Sequence, residues 1–203
     1  MKLIPSAELL MQLKSDLRQI ILDLNYLKQE DPEILTSQPE PGKWSVAQVL
    51  EHLNSYGRYY LPLIESKMQA SKASPSMVFS PGLLGSYFTR SMQPREGKVV
   101  NKMKAMKGHI PDSSTDSKAA IDEFESQHHH LLQLLELAAT RNLDKIKIPI
   151  SIAQFIRLKL GDTFAFDIAH EQRHFIQIKN TMRMLKERPE NFGVRSLVGI
   201  QES

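Results

Sequence analysis

The 203-residue chain carries 26 Lys and Arg against 23 Asp and Glu, a net charge of +3, with 41% hydrophobic residues and no cysteine. Disulfides, thiolate metal ligands and a cysteine nucleophile are therefore excluded, and a reducing, cytoplasmic setting fits. A composition of this kind builds a core without staples, and the length suits one domain.

The start, Met1 to Glu8, is interrupted by Pro5 and Glu8 and has no long apolar run, so no signal peptide is expected. No stretch approaches the roughly 18 apolar residues of a membrane span. The basic group Lys98, Lys102, Lys104 and Lys107 has no interleaved aromatics. It reads as a solvated loop, not a nucleic-acid site.

Four long segments have helical periodicity. The first runs from about Ser6 to Gln29, with Leu9, Leu10, Leu13, Leu17, Ile20, Ile21 and Leu24 on one stripe, and ends before Asp31-Pro32. A turn-rich stretch, Ser37 to Gly42, follows. The second helix has a capping box in Ser45 and Gln48 and a hydrophobic staple in Trp44 and Val49. Its buried face is Val46, Val49, Leu50, Leu53, Tyr60 and Ile64, and Pro62 predicts a kink. Residues 71–114, rich in Ser, Pro and Gly, form a long crossover with a short helix near Leu83 to Met92. A connection of that length either covers or gates a site or is a disordered excursion.

The third helix starts near Thr115 to Ser117 and carries Ile121, Phe124, His128, Leu131, Leu132 and Leu135 on one stripe, ending before Arg141-Asn142. Ile146, Ile148, Ile150 and Ile152 alternate around Pro149. This reads as an extended segment and a turn, because a lone strand has no partner. The fourth helix runs from Asp162, a suitable N-cap, to about Glu187, before Pro189. The expectation is an all-α four-helix bundle over residues 1–190 with a C-terminal tail, 191–203.

Among seven histidines, His170 and His174 lie four apart on the fourth helix, one turn apart on one face. They border the stripe of Phe164, Ile168, Phe175, Ile178 and Met182, as His52 borders that of the second helix. Three neutral imidazoles converging in a bundle make a site for zinc, nickel, iron or a similar ion with coordination positions left open. The same residues, taken singly, read as ordinary core histidines. His170-Glu171-Gln172-Arg173-His174 also satisfies H-E-x-x-H, the zincin protease motif, with Glu171 as general base. Against it, no G-x-x-H continuation follows. Glu171 falls in the apolar stripe on the helical wheel. His128, His129 and His130 point about 100° apart, so only His128 shares the core stripe, as a core histidine or a fourth ligand. His109, in the crossover, is given no role.

The run Trp44-Ser45-Val46-Ala47-Gln48-Val49-Leu50-Glu51-His52, followed by His170 and His174 on the last helix, resembles the DinB/YfiT-like superfamily. That resemblance, from the first helix to about Lys186, implies an up-down-down-up four-helix bundle. It also implies a three-histidine metal site of His52, His170 and His174, holding nickel or zinc, with iron or manganese as further choices. Members of that superfamily include bacillithiol transferases and mycothiol-dependent isomerases; others carry the label of metal-dependent hydrolases. The implied function is a metal-dependent enzyme that activates a thiol or water for transfer to a small molecule. A hydrolase and a non-catalytic metal-binding module remain alternatives. Asp167, one turn before His170, and Glu171 are candidates for orienting a ligand or moving a proton. The partners expected are a small-molecule substrate, with a low-molecular-weight thiol as one candidate cosubstrate, and a second copy in a homodimer, with no nucleic acid and no membrane.

Overall fold

The computed structural model describes residues 3–94 and 104–188. Lys98 and Lys102 of the basic group, and the tail from 191 onward, lie outside the described residues. Four long helices dominate: α1 (Ser6–Leu27), α3 (Val46–Ala70), α5 (Ser117–Ala138) and α6 (Leu160–Lys186). Two shorter ones, α2 (Pro32–Thr36) and α4 (Leu83–Met92), lie between them. Helix α3 packs on α5, α1 on both α5 and α6, and α3 on α6. The leucine stripe of α1 is what the periodicity requires: Leu10, Leu13, Leu17, Ile20 and Leu24 are buried against Leu50, Ile64, Phe124, Leu135 and Phe164. Removing such apolar surface from water, at about 25 cal/mol per Å², drives the association.

Local chemistry sets the ends. Ser45 caps α3 by accepting from the Gln48 amide at 3.2 Å, and the Gln48 side chain accepts from the Ser45 amide at 3.0 Å, a complete capping box. Asp116 caps α5 by accepting from the Ala119 amide, and Asp31 caps α2, with Pro32 in the first turn. Helix α3 runs on through Pro62 without interruption.

Two sequence expectations are corrected, and one pairing is added. The isoleucine-rich segment is not a lone strand: β3 (Lys147–Ile150) pairs antiparallel with β4 (Ala153–Lys159), Ile148 opposite Leu158. The pairing leaves no mark in the sequence because β4 buries only Leu158 fully and leaves Phe155 86% exposed, so it lacks the alternation that marks a half-buried strand. A second short pair joins β1 (Ile4–Pro5) to β2 (Val78–Phe79), tying the crossover to the start of α1. Finally, Asp162 is not the N-cap of α6, which begins at Leu160 after Lys159. Its carboxylate sits in the first turn, favoured there by the helix dipole, and accepts from the Gly82 amide at 2.9 Å.

That interaction leaves no room on α4. A Cβ at Gly85 would collide with the Cβ and carboxyl carbon of Asp162, whose rotamer is held by the Gly82 amide. Ala has the higher helix propensity, worth about 1 kcal/mol, yet Gly85→Ala is expected to destabilise by about 1–3 kcal/mol through overpacking. Urea unfolding checks this, and a variant as stable as the parent would show that α4 can slide.

Candidate metal centre

The α3–α6 interface brings the three histidines of the sequence reading together. The ligand atoms of His52, His170 and His174 all lie within 4.8 Å of one another. Their rings meet at centroid distances of 5.3 Å (His52–His170), 4.7 Å (His52–His174) and 4.6 Å (His170–His174). His52 and His170 are buried at 3% and 5% exposure. His174, one turn further along α6, is half-buried.

Neighbours fix which nitrogen faces inward. His52 Nδ1 donates to the His109 carbonyl at 2.7 Å, leaving Nε2 a lone pair. His174 Nδ1 donates to Gln177 Oε1 at 2.9 Å, so its Nε2 accepts, and it takes the proton of His170 Nε2 at 3.0 Å. These tautomers follow from the hydrogen-bond partners. His170 Nδ1 is then a buried nitrogen with no partner.

Burial keeps all three rings neutral. It pushes His174 down to about 3, with repulsion from His52 second, and His170 well below its ordinary value, with repulsion from His174 second. His52 is lowered chiefly by burial too. Neutral imidazole is the form that binds metal. Around a tetrahedral ion with Zn–N bonds near 2.05 Å, ligand nitrogens stand about 3.4 Å apart, within the span observed. The proton shared by His170 and His174 is the one an ion would displace. The donor set fits a divalent cation of the nitrogen-preferring kind.

The crossover supplies what the sequence did not reveal. His109, which was assigned no role, presents its carbonyl to His52. Its ring stacks on Tyr56 at 3.7 Å, and its Nδ1 donates to Ser55 Oγ at 2.8 Å. Ser55 in turn donates to the His52 carbonyl. Two separate anchors on α3 thus hold the carbonyl that orients His52, the arrangement by which an outer hydrogen bond fixes a ligand's tautomer. Nothing in the spacing of residues 52 and 109 signals this. The nearest hint was the length of the crossover.

The remaining candidates lie behind the three histidines. Asp167 is 4% exposed; burial, with the charge of Glu171 added, holds its carboxyl well above the usual carboxylate range. Tyr56 and Tyr60 are pushed up to about 12, by burial first and by Asp167 as well. Glu171 is buried, as the helical wheel implied, and its Oε2 lies 3.0 Å from His128 Nε2. The other His128 nitrogen, Nδ1, donates to the Phe124 carbonyl. Both His128 nitrogens are therefore engaged away from the three-histidine group, and His128 is not among the residues that converge there. A Glu171 turned to His128 is not placed as the general base of a zincin. His129 is exposed, and His130 lies 3.3 Å from Glu65.

A cavity of about 380 Å³ opens beside the three rings. Its walls are Trp44, Tyr56, Tyr60 and Phe166 from the bundle, Tyr87 and Phe88 from α4, and Ile150, Ile152 and Leu158 from the hairpin. Neither Asp167 nor Glu171 lines it. Among the described residues no helix is long and apolar enough to cross a membrane.

No curated protein matches the chain. A solved structure resembles it at 12% identity over 88% of this chain and 84% of the other, with a TM-score of 0.44. It is described as "YfiT from Bacillus subtilis is a probable metal-dependent hydrolase with an unusual four-helix bundle topology". The family model of the DinB superfamily matches residues 12–178, a span that runs from α1 to beyond His174 and holds all three histidines. The chain belongs to the DinB superfamily.

Proposed function

We propose that the protein is a metal-dependent enzyme in which His52, His170 and His174 hold one divalent ion, nickel or zinc, at the floor of the aromatic cavity. The observation that carries this is the set of three imidazoles, two buried and one half-buried, that burial keeps neutral and whose ligand nitrogens lie within 4.8 Å of one another, next to a cavity of small-molecule size. Such an ion, when bound, lowers the pKa of a water or thiol toward 7 and so supplies a nucleophile. His52 is oriented by the His109 carbonyl and His174 by Gln177. The aromatic walls exclude bulk water and align the substrate, and the up-down-down-up order of the long helices is part of the same reading. We take the substrate to be a small molecule, with a low-molecular-weight thiol as cosubstrate. A cytoplasmic homodimer is the working state, and neither nucleic acid nor membrane is a partner. Hydrolysis by activated water is the second reading, since water can take an open position on the ion without any cosubstrate. A closed, non-catalytic metal module is disfavoured because the cavity reaches all three histidines.

Cobalt substitution separates these. A thiol that reaches the ion is expected to produce an intense near-ultraviolet sulfur-to-cobalt band. No change with any thiol, together with metal-dependent cleavage of simple esters, would select hydrolysis. Neither response would sink the enzyme. Chelation with EDTA should leave helical circular dichroism intact at room temperature, since the core is complete without the ion, and should lower the melting temperature by the linkage term. Loss of the helical signal would make the ion structural.

Ser55 is expected to act through His52. Ser55→Ala frees the His109 ring and should weaken metal affinity by about tenfold, measured by competition with a chromogenic chelator. The ¹⁵N pattern of His52 should lose its single tautomer, and Ser55→Thr should restore both. Unchanged affinity in Ser55→Ala would show that Tyr56 stacking alone holds the carbonyl.

A further inference from the structure

We propose that the hydroxyls of Tyr60 and Ser151 form a second polar pole of the cavity and bind there an uncharged carbonyl oxygen of the substrate, that of a ketone, ester or amide. This deepens the proposed function by naming its substrate class, and rests on reading the cavity as the substrate site. Three observations converge. The first is position. His52, Tyr56 and Tyr60 are spaced by four on α3, so they stand in one line of about 12 Å that leads away from the histidines. Ring positions agree: His52 and Tyr56 meet at 5.2 Å, and Tyr56 and Tyr60 stack at 6.3 Å with planes 13° apart. All three line the cavity, and so does Ser151, in the turn between β3 and β4.

The second observation is hydrogen bonding. The Tyr60 oxygen accepts from the Ser151 amide at 3.1 Å, which fixes the phenol at the hairpin end of the line. Among the described residues its own proton meets no acceptor. Ser151 Oγ is buried and has no hydrogen-bond partner, although it lies near enough to Tyr60 to favour the ionised form. Burial outweighs that effect and pushes Tyr60 up to about 12. The group is therefore a phenol at neutral pH, and a donor. Buried hydroxyls without partners are uncommon in folded proteins, because each has given up its bonds to water. Two adjacent O–H donors are satisfied together by one carbonyl oxygen, which has two lone pairs.

The third observation is what surrounds the pair. The other hairpin side chains in the lining are Ile150, Ile152 and Leu158. An ion held by two neutral hydroxyls among such groups loses its hydration and gains no counter-charge there. A carbonyl loses far less. The apolar body of the ligand then lies along Tyr56, with its reactive end towards the histidines. A cavity of about 380 Å³, at the lower end of small-molecule pockets, holds one ring and a short chain on that line.

The test uses metal-free protein, so that no ion competes for the carbonyl. Its probes are 4-phenyl-2-butanone, the isosteric carboxylate 3-phenylpropanoate, and butylbenzene. Binding is followed by calorimetry and by fluorescence of Trp44, the one tryptophan of the chain, which lines the cavity. The ketone is expected to bind at least about tenfold tighter than the carboxylate. Ser151→Ala and Tyr60→Phe should each weaken the ketone by about threefold to tenfold and leave butylbenzene unchanged. Isotope-edited infrared spectra should place the bound ketone band at lower wavenumber than in hexane, and the shift should shrink in both variants. Ser151→Ala also separates recognition from structure. It deletes a hydroxyl that has no partner and keeps the amide on Tyr60, so its melting temperature should equal or exceed the parent's. Equal ketone affinity in the parent and Ser151→Ala, a band at the hexane position, or tighter binding of the carboxylate would each overturn the proposal. So would failure of the ketone to bind. A parallel zinc titration keeps the two readings apart. Ketone binding that responds to the variants, without zinc binding, removes the metal and leaves the polar pole. Zinc binding with a ketone indifferent to both variants removes the substrate class alone.

Discussion

Replacing His52, His170 or His174 by Ala is expected to empty the metal site, with affinity falling by more than the roughly 10–100-fold that loss of an outer partner costs. Each ring supplies one donor, and the geometry shows no spare. The other buried histidine, His128, has both nitrogens committed, to Glu171 and to the Phe124 carbonyl. A hole at His52 would also orphan the His109 carbonyl, and a hole at His174 would free His170 Nε2 from its only partner. His129→Ala, at an exposed position on α5, should keep its metal. Elemental analysis of protein purified without a histidine tag decides the matter. Full metal content in His174→Ala would remove the assignment.

The contrast between these variants marks what local sequence can and cannot disclose. His170 and His174 were readable because a helix puts residues four apart on one face. The apolar stripe beside them says that face turns inward. His52 was readable because Ser45 and Gln48 fix the start of α3, and so the face on which a residue seven positions later must lie. The long helices were legible for the same reason, since the stripe of α1 is almost the buried set. What stayed hidden depends on chain segments returning from far away. His109 meets His52 across 57 positions, and Gly82 meets Asp162 across 80. Neither contact leaves a periodic trace.

Propensity also misled where tertiary contact overrode it. Asp162 has the side chain of an N-cap, yet its carboxylate serves the Gly82 amide, and α6 starts two residues earlier with no side-chain cap. Hairpin strand β4 carries exposed Phe155 and half-buried Ala153 and Ile156, so its pairing shows only in three dimensions. The cavity walls from α4 and the hairpin were invisible for the same reason.

Acid should unfold the metal-free protein earlier than an ordinary helical bundle. His52, His170 and His174 have folded-state values below the unfolded one near 6.5. Groups depressed by folding contribute stability that is fully present above the unfolded value. It is lost as pH falls from about 6.5 toward the folded values, about 3 in the case of His174. Each proton taken up on unfolding costs about 1.4 kcal/mol per pH unit, so three histidines together cost about 4. Asp167 works in the opposite sense: its raised value makes the fold bind a proton more tightly, so its contribution favours the fold at low pH and fades as pH rises above about 4. His109, lowered by burial, adds to the histidine side, and Asp16 and Asp162, raised chiefly by burial, add to the Asp167 side, so the net slope where the windows overlap is smaller than the histidines alone give. Against a typical stability of about 5–15 kcal/mol, a net uptake of even one proton on unfolding, about 1.4 kcal/mol per pH unit, removes a measurable share of the margin. Melting temperatures of the metal-free protein from pH 7.5 to 4.5 should hold level above about 7 and fall steeply below 6. His174→Phe, which removes one titrating ring and keeps the volume filled, should flatten the descent. Bound metal should steepen it, because protons and the ion compete for the same three nitrogens and acid releases the ion. A descent that His174→Phe leaves unchanged would mean that this ring charges freely in the folded state. The buried, neutral site would then be refuted along with the metal centre built on it.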